Sequence, residues 1–359
     1  MSSSLNGIRE PHKLITDVRI CRARQSVHAE SRMLGRGHTD SVQTMISEST
    51  SGETQVPDLG PPPARITVDA YTVQALVSDQ FPHWSHLDVE SVQNPGWDNF
   101  TFHLGEDLLV RLPSAAEYAL AVEKEQHWLP RLAPHLTVPI PSVRGLGVPG
   151  AGYPFAWSVY SWVDGSTATT ADITDQARFA GQLADFLVSL RGVDPAKGPQ
   201  PGIHNWYRGA TLLTYDATAR RALEALTGHL DVGLAAQVWA DALTAPWDGT
   251  DVWFHGDLAA GNLLLRDGQL AAVIDFGTCG VGDPSCDLAV AWTLLSEPGR
   301  ELLRDRLMID EATWARGRGW ALWKTLSSLA SAIAHDDEPE TAQLKHVCSE
   351  IINGRTEAA

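Results

Sequence analysis

The sequence predicts an α+β protein of two lobes, a small β-rich one followed by a larger helical one. Three observations carry that prediction. Short apolar segments with turn signals, such as NFTFHLGEDLLVRL and FAWSVYSWV, cluster around one helical segment before residue 163. Long segments with apolar residues at helical spacing dominate after it. A single Asp-Gly hairpin pattern, NLLLRDGQLAAVI, interrupts those helices. A chain of 359 residues with 43% hydrophobic content is long enough for one large two-lobed domain or two ordinary ones.

Taken in order, residues 1–60 are rich in Ser, Thr, Gly and Arg, lack sustained periodicity and end in VPDLGPPPAR. They are expected to be a disordered extension with a Pro-rich linker, because a Pro run neither continues a helix nor enters a central strand. The β-rich lobe is expected over 61–162. TVDAYTVQALVSDQF reads as a helix, the two runs joined at GED as a hairpin, and SAAEYALAVEKEQHWLPRLA as a helix ending near Pro130. HLTVPIPSVRGLG and FAWSVYSWV read as extended. The helical lobe is expected over 163–359. There DITDQARFAGQLADFLVSLRGVD places Ile173, Ala177, Ala180, Leu183, Leu187 and Leu190 on one face. DPSCDLAVAWTLLSE carries an N-cap candidate, Asp283, with Pro284 at the first helical position. DEATWARGRGWALWKTLSSLASAI and the tail DDEPETAQLKHVCSEIING read as further helices. Trp292, Trp320 and Trp323 sit on helices as expected core residues.

The formal net charge is -17. Residues 1–60 hold seven basic and seven acidic residues, so the excess, 37 acidic against 20 basic, lies in 61–359. An acidic body argues against nucleic-acid backbones and anionic membranes. It suits an enzyme that attracts cationic small molecules, or it serves solubility alone. Cys21, Cys279, Cys286 and Cys348 show neither a CxxC pair nor zinc spacing, so they are expected to be reduced thiols. No apolar run is long enough to span a bilayer, and the N-terminus lacks the apolar region of a secretory signal. The expected location is cytoplasmic.

The chemistry concentrates in HGDLAAGN, residues 255–262, and the RDGQLAAVIDFG that follows. With Asp267-Gly268 as a two-residue type I′ loop, Arg266 pairs with Gln269, Leu265 with Leu270 and Asn262 with Val273. Asp275 then lies two residues beyond the position opposite Asn262. Asp257 lies on the loop feeding the same strand. Three oxygen-bearing side chains converge at one end of one hairpin. Such oxygens suit Mg²⁺, which keeps waters and substrate phosphates in its shell. A separate Asp that accepts a proton completes what phosphoryl transfer to a hydroxyl requires.

HGD-x₄-N followed by IDFG resembles the catalytic core of the protein-kinase-like fold, and in detail the aminoglycoside phosphotransferase family. Gly256 stands where protein kinases usually carry Arg. The resemblance covers most of 66–335. It implies that Asp257 is the catalytic base, that Asn262 and Asp275 hold Mg²⁺ and that His255 braces the loop. GWDNFTFHLGEDLLVRLP fits the family's phosphate-covering strand-turn-strand, with Gly96 allowing close approach of backbone to phosphates, although a full GxGxxG is absent. Arg111 occupies the place of the nucleotide-binding Lys, a planar fork in place of a compact charge. The next helix is to supply a Glu partner, and the family's spacing before a core Leu selects Glu125, ahead of Leu129, over Glu123. SVYSWVDG fits the hinge that closes the first lobe, where backbone groups of Ser161 and Val163 would bind a purine.

Only a handful of residues separate Gly277 from Asp283, with no long activation segment or APE motif. A protein substrate is therefore not expected, and a small hydroxylated acceptor is. Asp283 reads as a cap and Asp287 as an anchor for the catalytic loop. His204, Asn205, Trp206 and Arg208 are candidates for an acceptor wall or for an ordinary structural loop, and DDEPE (336–340) with Glu297 for contacts to a polyamine or for a solvated face. The resemblance implies a Mg²⁺-dependent phosphotransferase moving the γ-phosphate of ATP or GTP to a hydroxyl of a small cationic molecule such as an aminoglycoside. The rivals are a kinase of another small alcohol (a macrolide, choline, homoserine or a sugar-like metabolite) and a non-catalytic nucleotide-binding protein. A metal-dependent hydrolase would leave the Arg111–Glu125 pair without purpose.

Overall fold

A computed structural model describes residues 59, 62–92, 96–168 and 173–354. The expected disordered extension, apart from residue 59, lies outside the described residues, as does Cys21. The chain folds as a two-lobed α+β protein. The first lobe runs α1 (Ala70–Gln80), β1 (Val89–Ser91), β2 (Asn99–Leu104), β3 (Leu108–Pro113), α2 (Ala116–Leu132), β4 (Val143–Gly147) and β5 (Trp157–Ser161). Its five strands form one antiparallel sheet in the order β1-β2-β3-β5-β4. The β2–β3 hairpin pairs Asn99 with Pro113 through Leu104 with Leu108, around the GED turn. Helix α1 starts at Asp69, whose side chain accepts from the Thr72 N–H at 2.8 Å. It buries Val73, Leu76 and Val77 in one core with Phe102, Leu104, Val110, Leu112, Trp157 and Val159.

Helix α2 ends near Pro130, as expected, with Pro130 inside its last turn and Leu132 as its final residue. The missing Pro N–H removes one bond in the last turn, and Leu129 and Leu132, both buried, hold that turn in place. Those two leucines, with Tyr160, belong to the core of the second lobe rather than the first.

The second lobe contains β6 (Ser166–Thr167), α3 (Gln176–Arg191), α4 (Asp216–Ala225), α5 (Val232–Thr244), β7 (Val252–Phe254), β8 (Leu263–Arg266), β9 (Gln269–Val273), β10 (Gly280–Gly282), α6 (Val290–Thr293), α7 (Glu297–Arg306), α8 (Glu311–Ala334) and α9 (Glu338–Asn353). Two small sheets, β6-β8-β9 and β7-β10, lie among these helices. Helix α3 begins later than its apolar pattern implies. Asp175 caps it, Ile173 is buried ahead of it, and Ala177 is exposed. The segment after Asp283 is a 3-10 turn over Pro284–Ala289 that passes into the short α6, with Asp283 capping through the Ser285 N–H. Trp292, Trp320 and Trp323 are buried in the core, as expected.

The Asp267-Gly268 turn forms as expected, both residues at positive φ. The register beyond it does not. Arg266 pairs with Gln269 and Leu265 with Leu270, but then Leu264 pairs with Ala272 and Leu263 with Val273. Ala271 is an extra, bulged residue. A regular ladder would place Val273 opposite Asn262. The bulge instead puts two core pairs, Leu265/Leu270 and Leu263/Val273, on the same buried side. Asn262 therefore meets Ile274, whose N–H donates to the Asn262 carbonyl at 2.9 Å, and Asp275 is one residue closer to it than the regular register gives.

Candidate active site

The catalytic-loop candidate leaves β7 at Phe254 and turns at Gly256, where φ is +85°. Asp287, fully buried, accepts the N–H groups of His255 at 2.9 Å and Gly256 at 2.7 Å. It anchors the loop, as its position suggested. Burial raises the Asp287 carboxyl above its ordinary range, against the opposing pull of His255 and these two N–H groups. His255 braces the loop from inside. Its Nδ1 accepts the Asp257 N–H at 3.2 Å and its Nε2 meets the Ile274 carbonyl at 3.0 Å, which assigns the Nε2–H tautomer. Its ring packs edge-on against Phe276 at 4.6 Å.

Asn262 Nδ2 donates to the Asp257 carbonyl at 2.8 Å and to Asp257 Oδ2 at 3.2 Å. The amide nitrogen is thus committed to Asp257, and Oδ1 is its oxygen end. Asp275 sits at φ +66°, ψ +70°, a strained conformation for a non-glycine residue and a recurrent mark of functional positions. Its side chain is 41% exposed to the cleft. Burial raises its carboxyl, but the Arg111 charge and hydrogen bond, with His255, outweigh that and hold it below the ordinary range. One carboxylate and one amide match what Mg²⁺ asks of a protein when phosphates and waters fill the rest of its octahedron. Among the described residues there is no closed cluster of three or more His, Cys, Asp or Glu able to hold a metal by itself.

Arg111 reaches from β3 to two carboxylates. Its Nη2 lies 2.8 Å from Asp275 Oδ1 and its Nη1 3.5 Å from Glu125 Oε1. Burial lowers its pKa, yet the two carboxylates prevail and raise it. Glu125 is buried on α2, and its Oε2 accepts the Tyr160 hydroxyl at 2.7 Å. Glu123 points to solvent. The Arg111–Glu125 pair therefore forms, and the guanidinium also spans to the Asp275 turn. The Gly96 position makes no steric demand: an added Cβ would meet only the Asn99 carbonyl, at 3.9 Å. The adjoining loop is tied down by Trp97 Nε1 donating to the Tyr118 hydroxyl at 3.1 Å and by Arg65 lying over the Trp97 ring at 4.5 Å. At the hinge candidate, the Ser161 N–H donates to the Ser142 carbonyl at 2.9 Å and the Trp162 N–H to the Asp107 carbonyl at 2.7 Å. The Val163 N–H is not taken by any described residue.

The four candidates for the acceptor wall divide. Asn205 is fully buried and its Oδ1 accepts the Gly202 N–H at 3.0 Å, a structural role. Arg208 is buried, donating from Nη1 to the Tyr215 hydroxyl at 2.8 Å. His204 and Trp206 instead line a cleft with Glu117, Tyr118 and Asp275. DDEPE forms the start of α9, with Asp337 capping through the Glu340 N–H at 3.1 Å.

Two lysines escaped the sequence reading. Lys124 on α2 is buried, and its Nζ donates to the carbonyls of Gly277 at 2.7 Å, Cys279 at 3.0 Å and His204 at 3.4 Å. Lys324 on α8 is also buried, and its Nζ lies 2.6 Å from Asp257 Oδ1. The available signal was position: Lys324 follows Trp323 on the inward side of WALWKTL, where a surface lysine is out of place.

A sheet lobe and a helical lobe, with an Asp–Asn–Asp constellation and a cation reaching across from the sheet, define the kinase-like class. Residues 92–320 match the phosphotransferase enzyme family, and the chain belongs to it. Comparison with curated proteins gives no match. Among solved structures, the GDP and kanamycin complex of APH(2″)-IIIa is similar at 21% identity and TM-score 0.59, covering 79% of this chain and 99% of that one. The ADP-bound aminoglycoside phosphotransferase APH(2″)-Ib is similar at 16% identity and TM-score 0.52, covering 79% and 99%. A macrolide 2′-phosphotransferase type I is similar at 18% identity and TM-score 0.53, covering 79% and 98%. These likenesses establish the fold.

Proposed function

We propose that this phosphotransferase moves the γ-phosphate of ATP or GTP to a hydroxyl of a small cationic acceptor, with an aminoglycoside as the leading class. The observation that carries the reading is the meeting of Asp257, Asn262 and Asp275 at one end of the β8–β9 hairpin, with Arg111 arriving from the opposite lobe. In this reading the first lobe ends in the hinge near residue 162, where Ser161 and Val163 receive the purine through backbone groups. The backbone beside Gly96 covers the phosphates and Arg111, held by Glu125, contacts them. Asn262 and Asp275 hold Mg²⁺, which when bound neutralises phosphate charge. Asp257 orients the acceptor hydroxyl and takes its proton as the oxygen attacks in line. His255 acts by fixing the backbone of the loop. The cationic acceptor is supported by the cleft, where Glu117 stands beside the rings of Tyr118 and Trp206. The buried free thiols of Cys279, Cys286 and Cys348 suit a cytoplasmic setting.

The test is Mg²⁺-dependent release of ADP or GDP by the purified protein against a panel of aminoglycosides, with D257A as control. Acceptor-stimulated release that disappears in D257A is the expected outcome. Stimulation only by macrolides, choline or homoserine would replace the aminoglycoside. Nucleotide binding without release for any acceptor would overturn the enzymatic reading.

A further inference from the structure

Lys324 and Lys124 are both 8% exposed, and both place an ammonium in the interior. Their surroundings differ. Lys124 has three carbonyl acceptors for its three N–H donors. Lys324 has Asp257 Oδ1, and none of the other described residues accepts from it. A donor withdrawn from bulk water favours an arrangement that gives it an acceptor, the more so when it is charged. The unmatched protons of Lys324 lie beside the carboxylate that receives the acceptor hydroxyl. Asp257 Oδ2 already takes the Asn262 amide, so the ammonium and the amide grip the carboxylate from two sides. The charged and titratable neighbours of this corner are Arg208, the Cys286 thiol, His255 and the carboxylates of Asp287 and Asp283. Arg208 is fixed by Tyr215 and lies over the Trp323 ring at 4.7 Å. Asp287 is committed to the His255 and Gly256 N–H groups and Asp283 to Arg316, which leaves Lys324 and Arg208 as the cations that act on Asp257.

We propose that Lys324 is a further catalytic residue of the transfer: one N–H of its ammonium holds Asp257, and another hydrogen-bonds an oxygen of the phosphoryl group as it passes to the acceptor. This rests on the phosphoryl-transfer reading above. In the step, the acceptor O–H bond breaks and its proton goes to Asp257. The acceptor oxygen forms the new bond to phosphorus, and the bond from phosphorus to the β-phosphate oxygen breaks with its electron pair leaving on the nucleoside diphosphate. Lys324 keeps its protons throughout and stabilises the charge on the equatorial oxygens.

The test is calorimetric binding of Mg²⁺-ADP, or Mg²⁺-GDP, alone and with aluminium fluoride, a stand-in for the phosphoryl group in flight. It is run on wild type, K324M, K324R and each in a D257N background. K324M is expected to weaken the aluminium fluoride complex about 100-fold, the scale of losing one preorganised donor to a transition state. Diphosphate binding alone is expected to stay within about twofold, a split that loss of structure would not produce. K324R is expected to regain at least about tenfold. If K324M does not fold, K324Q carries the comparison. An aluminium fluoride complex within threefold of wild type would overturn the proposal, as would a loss that vanishes in the D257N background, since Lys324 would then act through Asp257 alone. Wild type that binds neither diphosphate would instead bring down the phosphotransfer reading itself, and with it this inference, before any variant is compared.

Discussion

Replacing Gly256 with Ala isolates the geometry of the 255–262 loop, the proposed catalytic loop. Gly256 sits at φ +85°, where an L-residue costs roughly 1–2 kcal/mol. Its new Cβ would lie 2.6 Å from the Thr278 carbonyl oxygen, 3.1 Å from Thr278 Oγ1 and 3.2 Å from Arg208 Cβ. The first is a main-chain atom that cannot rotate away, so the loop or the Asp275–Cys279 turn must shift by most of an ångström. That shift strains the bonds that lock the two together. The Gly256 N–H donates to Asp287 at 2.7 Å, and the Thr278 hydroxyl donates to the His255 carbonyl at 3.0 Å. Losing one buried bond adds about 1–3 kcal/mol, for a total near 2–5 kcal/mol. Asp257 is the next residue, and a displacement on that scale lowers turnover about 100-fold. Gly152 supplies the control: its φ is +82°, yet a Cβ there meets nothing within 4 Å. G152A is expected to lose only the backbone part. Equilibrium urea unfolding of both variants, with diphosphate release, measures the difference. G256A as stable as G152A, with wild-type turnover, would refute the steric account of why glycine follows His255.

Two further outcomes are expected. R111K keeps a charge but not the fork that reaches Glu125 and Asp275 together; stability is expected to fall by about 1–2 kcal/mol and nucleotide affinity about tenfold, read by denaturation and calorimetry. Burial pushes the Cys279 thiol up to about 11 and the Cys348 thiol up to about 12, and raises Cys286 as well. At pH 8 only about one Cys279 thiol in a thousand is then ionised. Labelling of these three cysteines by a thiol reagent, mapped by mass spectrometry, is expected to wait on unfolding; rapid labelling of the native protein at Cys279 would contradict its burial.

Much of the site was legible because it is local. Asp267-Gly268 announces its turn, so Asn262 and Asp275 were bound to meet at the far end, and the resemblance to the family, with its Glu ahead of a core leucine, selected Glu125 over Glu123. The bulge at Ala271 was not legible. It is decided by which leucines and valines find the core, and alternation alone does not contain that information. The same limit hid Lys124 and Lys324. A lysine has the same helix propensity on either side of a helix, and the acceptors that draw these two inward come from segments 67 to 155 residues away. For Asn205 and Arg208 the sequence left an acceptor wall and a structural loop both open, for the complementary reason: Gly- and Pro-rich sequence marks a loop, but only the packed structure separates side chains that support it from those that face the cleft.

The lysine tripod on α2 also governs how the chain is made. Lys124 is synthesised more than 150 residues before Gly277 and Cys279, the carbonyls that complete its shell. At about 5–20 residues per second, translation leaves that ammonium waiting roughly 8–30 s. Leu129 and Leu132 wait as well, since the core they enter is built from later segments. The sheet of the first lobe can close on the ribosome around α1 and engage α2 through Glu125 and Gln126, but the part of α2 that carries Lys124, Leu129 and Leu132 stays uncovered until the hairpin and the turn beyond it have emerged. Nascent chains stalled ahead of residue 277 should therefore present that part of α2 to chaperones, and chains ending near residue 162 should yield a fragment that is sticky rather than independently folded.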